Sequence, residues 1–530
     1  MLLFLCHTCL LACIGLSATA WTKGGWRVEL EMTREALRFE HLAARAEDQV
    51  TIEGDATLPG SMRDAVTVLS VQAQAHIMGV KAGAGEAVVR GRVQFQVLYT
   101  QGDLTKIRSL ETSCSFEHGI SMPGLSPQMR VKACAAVQET QGSAMSGRMT
   151  LRALVHIQAD AFEMAEREWI TDIVPPAAQK PACTVFKQMR TVAYCAAQML
   201  GEGRALVREE FDLPAKLDAG EALSASATAT VEEFSGGSGR IGVSGVVQVR
   251  VLHRPQTPGR ALVTTQHELP YEAAVEAEMP ENAQLRASAE VLDVMADAAQ
   301  TAEGMMLRVE AEVRVMLEAQ TQRETQLLED VYSVGGPALL PEGETLDVHT
   351  SETVSDVRES VRLQMTLKND APPIGTALAA FAQPMIAMTS PAGRRLNVDG
   401  VMNLTLLYLP ADSDIPCSVH AREPFSMAFP VEGDGDLRVQ AYPIEAAPGA
   451  CTSDRAEVRC VLGLHAVRHQ TQRVHGICAI ESGETEKPEH GFVIVWPAPE
   501  ETQWETARRL RVAPDSLHPA GGRALLALRK

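Results

Sequence analysis

VVRGRVQFQVLY, residues 88–99, decides the fold. Val89, Val93, Phe95, Val97 and Tyr99 fall on one side of an extended chain, and Arg90, Arg92, Gln94 and Gln96 fall on the other. A period of two residues is that of a strand with one face buried and one in water. The pattern returns as IGVSGVVQVRVLH (241–253) and LNVDGVMNLTLLY (396–408), centred on Gly91, Gly245 and Gly400, which lie 154 and 155 residues apart. Each glycine falls on the apolar face, where a missing side chain implies a bulge or the close approach of another group.

Two further anchors keep this register. Phe116, Tyr271 and Phe425 recur at 155 and 154 residues, and the Leu-Pro pair at 58–59 returns at 213–214. The third copy lacks that pair in TLKNDAPP (366–373). Each copy closes on a long alternating segment, MTLRALVHIQADAFE from 149, MLRVEAEVRVMLEAQ from 306 and AEVRCVLGLHAVRHQ from 456. Short alternating strands separated by turn residues predict antiparallel sheets, which bury one face and solvate the other. The expected fold is mainly β: three tandem β-sandwich-like domains, then a small α+β module. The units span 27–174, 183–335, 344–485 and 491–530, behind an apolar leader at 1–26, with linkers read at VPPAAQKPA (174–182) and GGPALLPEG (335–343). A helical turn before the strand is left open at SMRDAVTVLSVQA (61–73) and KLDAGEALSASAT (216–228).

A chain of 530 residues exceeds one ordinary core, and 45% apolar with 22% charged residues excludes a wholly disordered one. The formal charge of −19 disfavours nucleic acid as a partner. Aromatic residues make up only 4%, so platforms for stacking bases or sugars are scarce. After residue 31 no apolar run reaches the length that spans a bilayer.

LLFLCHTCLLACIGL (2–16) followed by Ala18-Thr19-Ala20 has the form of a secretory signal, and Leu10-Leu11-Ala12-Cys13 that of a lipoprotein box. No Lys or Arg precedes either, so an over-extended start with Met32 as the initiator is the preferred reading. Of eleven cysteines, three lie in this leader and the rest are scattered, which reads as reduced thiols of a cytosolic protein rather than a disulfide scaffold.

From Phe492 the repeat gives way to FVIVWPAPEETQWETARRLRVAPDSLHPAGGRALLALRK, read as strand, helix, a short second helix or turn, and strand. Trp504, Ala507 and Leu510 share one helix face, and Arg508 and Arg509 lie away from it. Residues 491–530 carry a net +2 against −21 for the remainder, which points to a module with its own partner.

VTIEGDATLPG (50–60), RGRVQFQVLY and CSFEHGISMPG (114–124) together resemble the SPOCS domain, and three such copies ahead of a short tail are similar in layout to SipL-type sporulation proteins. The tail resembles a LysM βααβ module, with Trp504, Ala507, Leu510, Val512 and Leu517 at its core positions and Gly522, Leu525 and Leu526 on its last strand. The resemblance implies a non-enzymatic scaffold of endospore coat or exosporium assembly, in the mother cell at the forespore surface. Its tail would contact a coat morphogenetic ATPase of the SpoIVA type. PEETQW (499–504) departs from the Gly-Asp-Thr-Leu-Trp turn of glycan-binding LysM sequences, which favours a protein contact over peptidoglycan. The candidate contacts are Thr502, Arg508, Arg509, Arg511 and His518. The alternative is an exported, peptidoglycan-binding protein with residues 1–20 as its signal.

Other motifs have structural readings. Gly237-Ser238-Gly239-Arg240-Ile241-Gly242 matches G-x-G-x-x-G, but a strand pattern follows where a dinucleotide site needs a helix, so a hairpin is expected. Cys460, His465, His469, His475 and Cys478 have the residue types of a zinc site, yet on a strand the histidines and cysteines take opposite faces, so buried thiols and ordinary strand histidines are expected. Asn403-Leu404-Thr405 is a sequon inside a core strand. Cys6-His7-Thr8-Cys9 is embedded in the apolar leader, and no Walker loop, H-E-x-x-H or G-x-S-x-G occurs. No catalytic residue, cofactor or metal is expected.

Overall fold

The computed structural model describes residues 31–59, 65–174, 183–237, 239–257, 259–279, 282–302, 304–367, 371–431, 436–485, 491–521 and 524–529. The leader, and all but the first residue of the 174–182 break, lie outside them. The fold is mainly β, with one α-helix and seven three-stranded antiparallel sheets among the described residues.

The first six strands are β1 (Glu31–Thr57), β2 (Val66–Ala82), β3 (Glu86–Gln101), β4 (Asp103–Ser121), β5 (Arg130–Met145) and β6 (Arg148–Val174). They form sheets β1-β6-β5 and β2-β3-β4. The second six are β7 (Thr184–Leu213), β8 (Ala219–Gly237), β9 (Arg240–Pro255), β10 (Val263–Val275), β11 (Gln284–Gln300) and β12 (Met305–Val334), in sheets β11-β12-β7 and β10-β9-β8. The third six are β13 (Pro337–Thr366), β14 (Ile374–Ala392), β15 (Arg395–Pro410), β16 (Cys417–Pro430), β17 (Asp436–Cys451) and β18 (Arg455–Thr485), in sheets β13-β18-β17 and β14-β15-β16. In every set the sixth strand lies between the first and fifth, and the third between the second and fourth. Each pair of sheets shares one apolar cluster. Val89, Val93, Phe95, Val97 and Tyr99 lie in the cluster of the first set, as the alternation predicted.

The recurrent glycines are explained by what covers them. Gly91 pairs with Phe116, Gly245 with Tyr271 and Gly400 with Phe425 across the neighbouring strand. The ring lies where a side chain would be: a Cβ at 91 would stand 2.5 Å from Phe116 Cε1, and one at 400 would stand 2.7 Å from Phe425. An aromatic partner thus fills the gap that glycine leaves in a strand.

Two segments differ from expectation. Pro337–Gly343, read as linker, is already strand in β13, paired with β18. β13 is an edge strand, and an edge tolerates Pro337 and Pro341 because one side of its ladder is unused. The helical turn left open at 216–228 is realised as a single 3-10 turn, Ala215–Leu217, before β8.

The three sets bond to one another in a cycle. The fifth strand of each carries one extra residue against the sixth: Gln138 in β5, Leu292 in β11 and Ile444 in β17. A bulge puts a carbonyl outside the regular ladder. In each case the third strand of another set claims it. Arg92 Nη2 donates to Leu292 O at 2.6 Å, Arg250 Nη1 donates to Ile444 O, and Asn403 Nδ2 donates to Gln138 O at 2.8 Å. The residue after each bulge adds a second link: Gln94 donates to Asp293 at 2.9 Å, Arg250 faces Glu445 at 3.5 Å, and Arg422 pairs with Glu139 at 2.7 Å. First set to second, second to third and third to first, the circle closes.

Three apolar clusters join all three sets. One is leucine-rich: Leu69 and Leu98, Leu223 with Leu252, and Leu378 with Leu407. These are equivalent positions of the three copies, 154 and 155 residues apart. The other two gather the long strands, one with Phe39 and Trp169, Tyr194 and Leu327, and Val348 and Val474, the second with Ile170 and Ile173, Leu328 and Val331, and Leu339 and Ile477.

Candidate functional site: the C-terminal module and the central cavity

The last 40 residues hold β19 (Gly491–Val495), α1 (Gln503–Leu510), a 3-10 turn at Pro514–Ser516, β20 (Leu517–Gly521) and β21 (Ala524–Arg529). The sheet order is β19-β21-β20. The module therefore has a third strand where the sequence reading had one closing strand, and a 3-10 turn at the place read as a short second helix or turn. Pro519 suits the added strand, because a residue preceding proline is biased away from helix and towards extended backbone.

α1 starts on a capping box. Thr502 Oγ1 accepts from the Glu505 N–H at 3.2 Å, and Glu505 Oε2 accepts from the Thr502 N–H at 2.7 Å. That backbone donor holds the Glu505 carboxyl below its ordinary range. Arg511 closes the helix in the left-handed conformation.

One side of the module is fixed to β12. Trp504 Nε1 donates to Asp330 Oδ2 at 2.7 Å, and Arg508 Nη1 donates to the same oxygen at 2.8 Å. Arg511 Nη2 donates to Gly336 O at 2.6 Å, and the Tyr332 hydroxyl donates to Val512 O at 2.8 Å. Tyr332 meets Trp504 edge-on at 5.0 Å and stacks on Phe186 at 5.3 Å. Trp504 thus packs in a cluster with Tyr332, Ala507, Val512 and Leu517.

The five candidate contacts are dispersed by this geometry. Thr502 is the helix cap, and Arg508 and Arg511 face β12. Arg509 pairs with Glu501 at 2.9 Å, and this hydrogen bond lowers the Glu501 carboxyl. His518 is exposed on β20.

Three residues outside that set are prominent. Phe492, Ile494 and Trp496 alternate along β19 and just beyond it, and are 71%, 47% and 70% exposed. β19 is an edge strand, so an apolar stripe lies beside an unused row of backbone groups. The alternation F-x-I-x-W was the available signal; a buried strand would read the same way.

The second feature is a central cavity of about 2240 Å³ lined by all three sets. Its wall includes Leu69 and Phe381, members of the leucine-rich cluster, and Arg438. Arg438 bonds Asp160 at 2.9 Å, and Asp160, nearly buried, also accepts from Arg45 Nε at 3.0 Å. Close by, His349 and His469 stack at 5.3 Å. Burial, reinforced by His469 and Arg45, pushes His349 down to about 4. Between the first and second sets, His76 Nδ1 lies 2.7 Å from Glu290, which also pairs with Arg314. Burial raises the Glu290 carboxyl, but these two partners outweigh it and hold it below its ordinary range.

The remaining motifs take structural places. β8 and β9 pair Gly237 with Arg240, so the G-x-G-x-x-G segment turns between two strands. Cys460 is fully buried in an apolar cluster, Cys478 Sγ donates to Glu342 O at 3.2 Å, and His475 meets Thr345 at 3.2 Å. Among the described residues no three His, Cys, Asp or Glu side chains gather as a metal site. Asn403 of the sequon bonds the Gln138 carbonyl between sets. Seven cysteines among the described residues are free thiols. Among the described residues no helix is long and apolar enough to cross a membrane.

No curated protein and no solved structure matches the chain. Residues 64–144, covering β2 to β5 and the cross-strand pair Gly91–Phe116, match the family model described as SipL, SPOCS domain, which relates this part of the chain to sporulation proteins.

Proposed function

We propose that the chain is a non-enzymatic scaffold of endospore coat or exosporium assembly, acting in the mother cell at the forespore surface. Its three six-strand sets serve as SPOCS-like domains, and its C-terminal LysM-like module holds a coat morphogenetic protein of the SpoIVA ATPase type. The match of residues 64–144 to the SPOCS model carries this reading. The same strand order in the two later sets extends it along the body. The β19 stripe supports a docking role for the module, because large exposed apolar side chains on an edge strand favour a protein partner over a hydrated glycan.

The test is capture of the SpoIVA-type ATPase by the full chain, compared with Phe492→Ser/Trp496→Ser and Arg509→Ala. Loss of capture in the β19 variant, with circular dichroism unchanged, supports the reading. Capture unaffected by the β19 variant, or binding of muropeptides in its place, overturns it. Deleting 491–530 is a poorer test, because it also uncovers Tyr332 and Asp330.

A further inference from the structure

The central cavity has the construction of a binding site. Along β2 it is lined by every residue from Val68 to Ala75, along β5 by Cys134 to Gly142, along β14 by Phe381 to Thr389, and along β17 by Leu437 to Ile444. A strand that lines a space with one face contributes alternate residues, as β3 does with Gln94 and Gln96. Unbroken runs mean that the backbone as well as the side chains of these four strands borders the cavity. Each of them is hydrogen-bonded to a single neighbour in its sheet, so its other row of N–H and C=O groups lies outside the ladder. Cross-set side chains occupy a few of these groups, including the Val137 and Gln138 carbonyls, which accept from Gln383 and Asn403.

The side chains complement those edges. Among the described residues twelve glutamines and Asn403 line the cavity, each amide carrying both donors and an acceptor. The charged residues on the wall, among those described, are four glutamates and four arginines, with no lysine or aspartate. In a chain of −19 this wall is balanced, which favours an uncharged occupant. The volume is more than twice the roughly 300–1,000 Å³ of ordinary small-molecule pockets. Phe211, Phe381 and Tyr442 are its aromatic ones among the described residues, few for stacking sugar rings.

We propose that the cavity binds an uncharged polypeptide segment in extended conformation, which adds as a strand to the free edges of β5 and β17 while the wall amides bond its side chains and backbone. This site is separate from the C-terminal module and does not depend on its partner.

The experiment uses the full chain and a pool of uncharged synthetic decapeptides alternating Val with Thr or Gln. Bound peptides are recovered by size exclusion and the strongest is titrated by fluorescence anisotropy. Hydrogen exchange is then followed with and without it. The edge is blocked by Gln141→Lys/Gln440→Lys, both at exposed positions where a lysine would obstruct strand addition, and Gln472→Lys, exposed and off the wall, is the control. The expected result is protection confined to 134–142 and 437–444, about tenfold weaker binding in the double variant, and unchanged binding in the control, tenfold being about 1.4 kcal/mol. Recovery of no peptide, protection elsewhere, equal binding by the double variant, or protection of these strands by a chito-oligosaccharide instead would overturn the proposal.

Discussion

Replacing Gly245 by alanine tests the internal logic of the repeat at one atom. A Cβ there would stand 2.9 Å from the Thr230 carbonyl carbon and 2.9 Å from the Tyr271 hydroxyl, with the Thr230 oxygen closer still. Carbon contacts are comfortable at about 3.5–4.0 Å, so a methyl group must displace backbone rather than the end of a flexible chain. Overpacking of this kind costs about 1–3 kcal/mol, and obstruction by backbone puts it near the top of that range. The Tyr271 hydroxyl donates to Thr230 O at 3.1 Å across the same spot, and losing that bond adds about 1 kcal/mol. Alanine recovers about 0.5–1 kcal/mol over glycine in a strand. The net expectation is a loss of about 3 kcal/mol, read as a lower midpoint in urea denaturation followed by circular dichroism. Gly236 is the control: it lies in β8 of the same set with nothing within 4 Å of its would-be Cβ, so Gly236→Ala should be neutral or gain a few tenths. If the two variants had the same midpoint, close aromatic cover would not be why glycine recurs at 91, 245 and 400.

Further outcomes follow from the seams between sets. His349 has its folded pKa lowered from 6.5 to about 4, so between those values the unfolded chain binds more protons. Stability is therefore full above about pH 7 and falls on acidification, by about 2 kcal/mol at pH 5; His349→Gln should flatten the slope between those pH values, and an unchanged slope would show that this imidazole is not buried neutral. Asp160→Ala leaves Arg45 and Arg438 facing each other without their shared carboxylate, at a cost of about 3–5 kcal/mol, and a double-mutant cycle with Arg438→Ala should be strongly non-additive. Asp330→Ala removes the acceptor of both Trp504 and Arg508, so it should shift tryptophan emission to the red and speed proteolysis near residues 496–502 without altering the body's circular dichroism.

The alternation of residues 88–99 and its two returns was enough to specify strands, their facing and their recurrence, because a period of two depends only on local backbone geometry. The glycine and aromatic anchors were visible as a pair of periods, and the structure supplies the reason, since each ring covers its glycine across one ladder rung. Pro337–Gly343 was misread because turn-type residues at an edge strand look like a linker: composition does not report which side of a ladder is used. For the tail, helical spacing located Trp504 and Ala507 on the packed face, and the charge pattern marked out Arg508 and Arg509. It did not distinguish an arginine that faces solvent from one that reaches Asp330, 178 residues earlier in the chain.

The sequence by itself thus determined what short-range periodicity encodes: three β units of one pattern, a distinct C-terminal module, and the absence of familiar catalytic motifs. Tertiary structure alone decided that Gln138, Leu292 and Ile444 bulge, that their carbonyls are claimed by Asn403, Arg92 and Arg250, and that the three sets close around a glutamine-lined cavity. Those contacts join residues about two hundred or more positions apart, where no local pattern reaches and only the packing of whole sheets selects which donor meets which acceptor.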